Sequence, residues 1–213
     1  MENKRLNPKF YRRTNVLQIA QELLGKILIT EFEGRRTAGR ISELEAYRAP
    51  DDRACHAYGN RRTARTEVMF HSGGRAYVYL CYGIHHLFNV VTGPEDMAHA
   101  VLIRAVEPLE GVELMFERRR LSPDKLDKIP ARLTTGPGSM AQALGLHTGL
   151  SGQPLTDPDS PVWIEHRNAV VPETAIAAGP RIGVAYAGAC AAWPWRYWLK
   201  ESRFVSRAPK KLN

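Results

Sequence analysis

The chain has 213 residues, enough for one domain with its own hydrophobic core and no need of stabilising disulfides or metal. Its 30 Lys and Arg residues outnumber 22 Asp and Glu residues, so the net charge is +8. This charge favours a polyanionic partner, although a solvated cationic surface explains basicity alone equally well. The polar N-terminus and the lack of an apolar run of about 18 residues predict a soluble, intracellular protein without a membrane segment.

The N-terminal quarter is predicted to form a helix followed by a β-hairpin. Thr14 can cap a helix that Gly25 ends, and its apolar stripe consists of Val16, Ile19, Ala20, Leu23 and Leu24. Residues 26–32 and 36–47 have strand composition and are separated by a short turn. Glu45 therefore lies on the second strand of a hairpin.

A long loop and a tyrosine-rich strand follow the hairpin. Residues 49–71 contain Pro, Asp, Asn, Gly and several arginines, and loops of this length in compact domains are usually functional. In the stretch AYVYLCYGIHHLFNVV, Tyr77 and Tyr79 share one strand face, and Tyr82 precedes Gly83 at the predicted strand end. Such rings can stack on a nucleobase, but a half-buried sheet is the more common use of this composition.

The rest of the chain alternates between strands and short helices. Further strands are predicted at residues 86–92, 100–106, 162–165, 183–186 and 196–199. A helix is predicted at residues 111–120, and the stretch 134–146 is predicted to open with Gly and Pro before a short second helix that ends near Gly145. The second helix opens on Gly-Pro-Gly and its N-terminus could hold a phosphate, although a simple helix-entry turn is the commoner explanation. Residues 208–213 are predicted to form a loose basic tail. The pattern indicates an α+β protein with a mixed or antiparallel sheet.

Six segments, in order along the chain, resemble the alkyladenine (methylpurine) DNA glycosylase family. They are ISELEAYRAPDDRACH (41–56), RTARTEVMF (62–70), YVYLCYGIHHLFNVVT (77–92), LIRAVEPLEG (102–111), TTGPGSMAQALG (134–145) and RIGVAYAG (181–188). The resemblance covers nearly the whole chain, from about residue 14 to residue 200. It implies a single domain, residues 1–213, with a mixed, mainly antiparallel, barrel-like sheet flanked by helices.

The resemblance also implies a catalytic group centred on Glu45. Glu45 would activate water, and Arg104 and the main-chain carbonyl of Ile182 would hold that water. A carboxylate suits this chemistry because hydrolysis of an N-glycosidic bond passes through an oxocarbenium-like sugar that a nearby negative charge stabilises. Without the resemblance, a surface glutamate and a strand-edge ion pair would be the more frequent uses of Glu45 and Arg104.

A base inside a duplex is out of reach of such a group, so the nucleotide must be extruded from the helix. The resemblance implies that Tyr82 intercalates, that Tyr47 and Tyr79 sandwich the flipped base, and that the backbone N–H of His56 contacts the base edge. It assigns Asn89 to the floor of the base pocket. The alternatives are a core tyrosine at Tyr47, a solvated loop histidine at His56 and an asparagine tied to neighbouring backbone at Asn89.

Metal and cofactor chemistry are not predicted. Cys55, Cys81 and Cys190 lack CxxC spacing and predict free thiols in a reducing compartment. Cys81, His85 and His86 could ligate zinc, but adjacent strand residues point to opposite faces and the deaminase zinc signature is missing. Neither a Rossmann fingerprint nor a Walker loop is present, so no nucleotide cofactor is expected.

Three positions depart from the family pattern. Ser139 stands where a lysine is usual after Gly-Pro-Gly, Ala64 stands where a proline is usual, and Tyr186 stands where some relatives have histidine. The first two changes bear on contacts with the DNA backbone, since a lost lysine removes one phosphate contact, and the third leaves the identity of any leaving-group acid open. The catalytic group itself is complete.

The sequence thus predicts a monofunctional DNA glycosylase of base excision repair. It would hydrolyse the N-glycosidic bond of alkylated purines such as 3-methyladenine after base flipping, act as a monomer on double-stranded DNA containing damaged purines, and lie with chromosomal DNA. The alternative is a non-catalytic minor-groove protein that bends DNA with Tyr82 as a wedge. Such a protein has no use for Glu45.

Overall fold

The computed structural model describes residues 5–122, 129–166 and 170–206. The helices are α1 (Pro8–Tyr11), α2 (Val16–Leu23), α3 (Val112–Arg119) and α4 (Pro137–Leu144). The strands are β1 (Ile27–Phe32), β2 (Arg35–Arg48), β3 (Ala76–Cys81), β4 (His85–Thr92), β5 (His99–Glu110), β6 (Val162–Glu165), β7 (Ile176–Gly179) and β8 (Arg196–Leu199). The predicted basic tail, residues 208–213, lies outside the described residues.

All eight strands join one sheet, and every pairing between them is antiparallel. The main order is β3-β4-β5-β2-β1-β6, while β8 also pairs with β2 and β7 pairs with β8. The 14-residue strand β2 is shared, because its first half pairs with β1 and Glu43–Glu45 pair with β8. The α+β class is therefore confirmed. The sheet is open rather than closed into a barrel.

The core lies between the sheet and helices α2 and α4. Helix α2 packs on β2 and β5, and α4 packs on β4 and β5. The fully buried side chains of this cluster include Ile19, Leu23, Ile41, Leu44, Phe88, Ile103 and Leu144. Burial of one such side chain contributes about 1.5–3 kcal/mol. No helix in the described parts is both long and apolar enough to cross a bilayer.

Side chains alternate along β2, so one face of the strand packs in the core and the opposite face carries Glu45. Leu44 pairs with Ile103 and both belong to the core cluster, whereas Glu45 pairs with Leu102 on the opposite face. Between Glu43 and Leu44, the β5 partners step from Ala105 to Ile103, so Arg104 is an extra residue in a β-bulge. Bulges are common beside active sites because they redirect a side chain. Here the bulge brings an arginine to the face that carries Glu45.

Two local predictions were wrong. Asn15, rather than Thr14, caps α2, because its side chain accepts a hydrogen bond from the backbone N–H of Gln18. Residues 183–186 are not a strand, since Gly183 has φ of 80° and Ala185–Ala192 forms a 3-10 helix. The last closing strand before β8 is instead β7, which the sequence did not reveal.

Candidate active site

A cavity of about 420 Å³ opens on the face of the sheet that carries Glu45. This volume suits a small organic ligand, because ligand pockets usually measure about 300–1,000 Å³. Its lining brings together seven of the eight residues singled out in the sequence, namely Tyr47, His56, Tyr79, Tyr82, Asn89, Arg104 and Ile182. Glu45, the eighth, contacts three of these seven directly.

Glu45 is fully buried and is held by three donors. Tyr47 donates its hydroxyl to Oε2 at 2.7 Å, and the backbone N–H of Ile182 donates to Oε1 at 2.7 Å. The Arg104 Nη1 atom lies 3.2 Å from Oε1. A buried carboxylate needs such partners, because an isolated charge inside a protein is costly. The observed Ile182 contact is through its amide N–H, so the water-holding role of its carbonyl stays a prediction.

The tyrosine and arginine partners of Glu45 keep the protonation states that these contacts require. Burial raises the pKa of the Tyr47 hydroxyl well above its usual value, and the nearby Glu45 charge raises it further. Burial alone would lower the pKa of Arg104, but Glu45 and Glu43 raise it above its usual value. Tyr47 is therefore a neutral donor and Arg104 a permanent cation at neutral pH.

Aromatic rings form one wall of the cavity. The rings of His56 and Tyr79 meet edge to face with centroids 4.7 Å apart, and the centroids of Tyr77 and Tyr79 are 5.5 Å apart. The guanidinium of Arg65 lies 4.9 Å from the centre of the Tyr79 ring. Tyr77 is buried, whereas His56 and Tyr79 are half-buried and offer the flat apolar surface that stacking on a base requires.

His56 is a neutral histidine with a defined tautomer. Burial, followed by the positive charge of Arg65, lowers the pKa of His56 to about 4. Its Nε2 lies 3.4 Å from Nη2 of Arg65, which can only donate, so Nε2 is the acceptor. The proton is then on Nδ1, which donates to the hydroxyl of Tyr77 at 2.8 Å. Two protein side chains thus fix the His56 ring. The alternative, a loop histidine whose hydrogen bonds are made by solvent, does not describe these contacts.

Asn89 lies buried on β4 and faces the cavity. Its Nδ2 donates to the carbonyl of Tyr77 at 3.0 Å and to the carbonyl of Leu87 at 3.3 Å. Both amide hydrogens are used, so the side chain is held in one orientation and its Oδ1 is the group left for a ligand. The tie to neighbouring backbone is present, and Asn89 also lines the cavity.

Tyr82 stands at the tip of the β3–β4 hairpin, beside the mouth of the cavity. Its side chain is 91% exposed, and its neighbour Ile84 is 71% exposed. Tyr82 and Gly83 have φ of 51° and 73°, and Ile84 N–H closes the turn on the carbonyl of Cys81 at 3.2 Å. Two successive positive φ angles define the tight hairpin turn that matches strand twist. The turn therefore presents an aromatic ring to solvent, as expected from the sequence.

Three features of this region were missed in the sequence. Arg65 stacks on Tyr79, as described above, and Glu43 shares Arg104 with Glu45 through a 3.0 Å contact to Nε. Arg181 donates to both carboxylate oxygens of Asp52, one of them at 2.8 Å, and both side chains are fully buried. The two-residue spacing of Glu43 and Glu45 on one strand was a usable sequence signal that the two carboxylates share Arg104.

The pair of Arg181 and Asp52 fixes the segment that carries Ile182. Arg181 also donates to the carbonyl of Ala46 at 2.9 Å, so it ties this segment to β2 beside Glu45. Its guanidinium lies 4.8 Å from the centre of the Tyr47 ring. Because Arg181 is anchored in this way, the N–H of the next residue, Ile182, is held where it donates to Glu45.

Metal ligands do not converge near this cavity. His85 and His86 begin β4 as neighbours, so their side chains lie on opposite faces. Across the described ranges, no group of three or more His, Cys, Asp or Glu side chains could hold a metal ion.

Comparison with known proteins identifies the family. Residues 9–203 match the Methylpurine-DNA glycosylase (MPG) family. A relative named "Putative 3-methyladenine DNA glycosylase" from Chlamydia pneumoniae is 48% identical over 194 residues, which is 91% of this chain and 94% of the relative. Relatives of the same name from Desulfitobacterium hafniense (strain Y51) and Bacillus cereus (strain G9842) are 42% and 41% identical, covering 95% and 94% of this chain and 98% of each relative.

These matches cover almost all of the region that carries the cavity, the hairpin tip and the Glu45 cluster. They confirm the resemblance drawn from the six sequence segments, and with it the assignment to an enzyme that acts on glycosidic bonds in DNA. The chain belongs to the methylpurine-DNA glycosylase family.

Proposed function

We propose that this DNA glycosylase removes alkylated purines such as 3-methyladenine by hydrolysis, after flipping the nucleotide into the 420 Å³ cavity, as the first step of base excision repair. The observation that carries the proposal is the buried Glu45 carboxylate, held by Arg104 and by the N–H of Ile182 beside an aromatic cavity. The protein would act as a monomer on chromosomal DNA, and therefore inside the cell.

In this mechanism, Glu45 takes a proton from water while the water oxygen bonds to the anomeric carbon of the sugar. The glycosidic bond breaks and its electron pair leaves with the base. A cationic base such as 3-methyladenine departs neutral and needs no added proton. The Glu45 charge also stabilises the oxocarbenium-like sugar as it forms. Arg104, and the carbonyl of Ile182, would hold the attacking water.

The base would be held by stacking and by its edge. Tyr47 and Tyr79 both line the cavity, and aromatic stacking is worth about 1–3 kcal/mol per base, which offsets part of the cost of unstacking. The backbone N–H of His56 would contact the base edge. The fixed His56 ring supports this role because its two hydrogen bonds hold the loop backbone in place.

Replacing Tyr82, the proposed intercalating residue, should lower the excision rate selectively on duplex substrates. Tyr82→Ala is expected to lower excision from duplex DNA more than excision from single-stranded or bulged DNA. The reason is that the Tyr82 ring would fill the gap that the flipped base leaves in the base stack. Single-turnover rates on the two substrates measure the ratio. Ile84→Ala, a truncation at the other side of Gly83, is the matched control. Equal losses on duplex and single strand would show that Tyr82 is not the wedge.

Asn89 is proposed to exclude guanine by lack of space. Its amide is held by two backbone carbonyls and cannot turn away from the N2 amino group that distinguishes guanine from adenine. The exclusion would be steric, since Oδ1 is an acceptor and does not repel a donor.

We expect Asn89→Ala to raise the excision of undamaged guanine relative to 3-methyladenine by roughly tenfold to a hundredfold, because forcing an extra group into a filled site costs about 1–3 kcal/mol. Both release rates are measured on one duplex with wild-type protein in parallel. An unchanged ratio would remove Asn89 from the role of gatekeeper.

A non-catalytic protein that bends DNA from the minor groove would share the exposed Tyr82 tip. It would not need a buried carboxylate with three donors, so the Glu45 contacts favour the enzyme. The two functions are separated by incubating purified protein with methylated duplex and counting abasic sites. A monofunctional glycosylase yields strands that break only after alkali treatment, whereas a bending protein yields none.

A further inference from the structure

Glu43 is a second buried carboxylate, two residues before Glu45 on β2. Its Oε1 accepts hydrogen bonds from Nε of Arg104 at 3.0 Å and from Nε of Arg196 at 2.7 Å. Its Oε2 accepts the backbone N–H of Ser206 at 2.6 Å. Glu43 is thus fully satisfied without facing solvent, and it lies outside the cavity lining.

Arg104 bridges the two carboxylates. Its Nε contacts Glu43 while its Nη1 contacts Glu45, and its side chain is almost completely buried. Because a guanidinium is planar and rigid, fixing Nε fixes the direction of Nη1. Arg104 also occupies the β-bulge, where no residue of β2 lies opposite to restrain it. Glu43 is therefore the contact that determines how Arg104 meets Glu45.

The described residues after β8, residues 200–206, form a C-terminal segment that also contacts this network. Arg196 donates from Nη2 to the carbonyl of Ser206 at 2.6 Å, and Ser42 donates its hydroxyl to the carbonyl of Phe204 at 2.6 Å. Phe204 is buried. The family match ends at residue 203, so the Ser206 contact lies beyond the matched region. The segment after β8 thus docks on β2 next to the candidate catalytic residues.

We propose that Glu43 is a positioning residue for Arg104, and that the C-terminal segment completes this role by donating the Ser206 N–H to Glu43. The inference rests on the proposed function of Glu45 and Arg104 and adds a residue that touches neither substrate nor water. Loss of the Glu43 charge would leave Arg104 and Arg196 with one carboxylate fewer, and the hydrogen bond that holds Arg104 at its Nε would lose its charge assistance.

The first test is Glu43→Gln, which keeps the side-chain shape and removes the charge. We expect the single-turnover rate of 3-methyladenine release to fall roughly 10- to 100-fold, as for a misplaced catalytic group, with affinity for methylated duplex unchanged. Because Glu43 acts through Arg104, adding Glu43→Gln to Arg104→Gln should cause little further loss. A wild-type rate in Glu43→Gln, or fully additive losses in the double variant, would overturn the proposal.

The second test does not depend on the folding of Glu43→Gln. Ser206→Pro removes the donated N–H, whereas Ser206→Ala keeps it and deletes a buried hydroxyl that has no hydrogen-bond partner. We expect the proline variant to release 3-methyladenine roughly tenfold more slowly than the alanine variant. Equal rates would overturn the role of the C-terminal segment.

Wild-type protein and Glu45→Gln are measured in the same assay. If wild type is inactive or Glu45→Gln is fully active, the proposed function itself fails. If both behave as proposed and Glu43→Gln keeps the wild-type rate, only the inference about Glu43 fails.

Discussion

Glu45→Gln is expected to lower the rate of 3-methyladenine release at least ~100-fold, the usual contribution of a positioned general base. The glutamine amide keeps the shape of the side chain: its oxygen can still meet Arg104 and accept the Ile182 N–H, and its NH2 group can donate to the Tyr47 hydroxyl oxygen. It cannot accept a proton from water and has no charge to stabilise the sugar cation. Single-turnover kinetics on methylated duplex measure the rate, and a binding titration on the same duplex should show unchanged affinity.

Glu31→Gln is the matched control for this change. Glu31 lies exposed on β1 of the same sheet, so the substitution removes one negative charge without touching the cavity. Its rate should equal that of the wild type. Comparable rates in the Glu45 and Glu31 variants would show that Glu45 is not the base.

Asp52→Ala is expected to lower the free energy of unfolding by about 3–5 kcal/mol, because it leaves the buried Arg181 charge without its carboxylate. The backbone carbonyls of Ala46 and Cys190 remain as partners, but neither carries a charge. Denaturant unfolding followed by tryptophan fluorescence measures the loss. Activity at low temperature should fall as well, since the segment that presents Ile182 to Glu45 loses its anchor.

The neighbouring aspartate provides the control. Asp51 pairs with Arg48, but both side chains are more than one third exposed, and such pairs contribute at most about 1 kcal/mol. Asp51→Ala should therefore change the free energy of unfolding by no more than that. Similar losses in the two variants would mean that the buried pair has no special structural role.

Much of the fold was predictable because local patterns agree with tertiary burial. The alternation of Leu44 and Glu45 places one side chain in the core and the other on the face that carries the cavity, where it contacts residues of the cavity lining, as a period of two requires. The short helix predicted to end near Gly145 is α4, because Pro at its start and Gly145 at its end are strong boundary signals. The family resemblance added a mainly antiparallel sheet flanked by helices, and the sheet is antiparallel but open rather than barrel-like.

The wrongly predicted strand and the missed strand share a physical cause. Residues 183–186 have strand composition, but the positive φ of Gly183 and the anchor at Arg181 turn the chain into a 3-10 helix. Strand β7 is only four residues long and holds its place through pairing with β8. Such short elements depend on contacts with distant parts of the chain, which local composition does not record.

The site was predictable as a set of residues but not as a network. Seven of the eight predicted residues line one cavity and the eighth contacts three of them. The partners that hold them, such as the pairs of Arg181 with Asp52 and of Arg196 with Glu43, join residues 129 and 153 positions apart. A buried ion pair over such a distance has no local signature in one sequence.

The central claim is that the cavity beside Glu45 performs hydrolytic excision of an alkylated purine. The most direct measurement incubates purified protein with duplex DNA carrying labelled methyl groups and separates the free bases by chromatography over time. We expect free 3-methyladenine to accumulate with wild-type protein and not with Glu45→Gln, while both bind the duplex. Binding of the duplex without release of any free base by the wild type would contradict it.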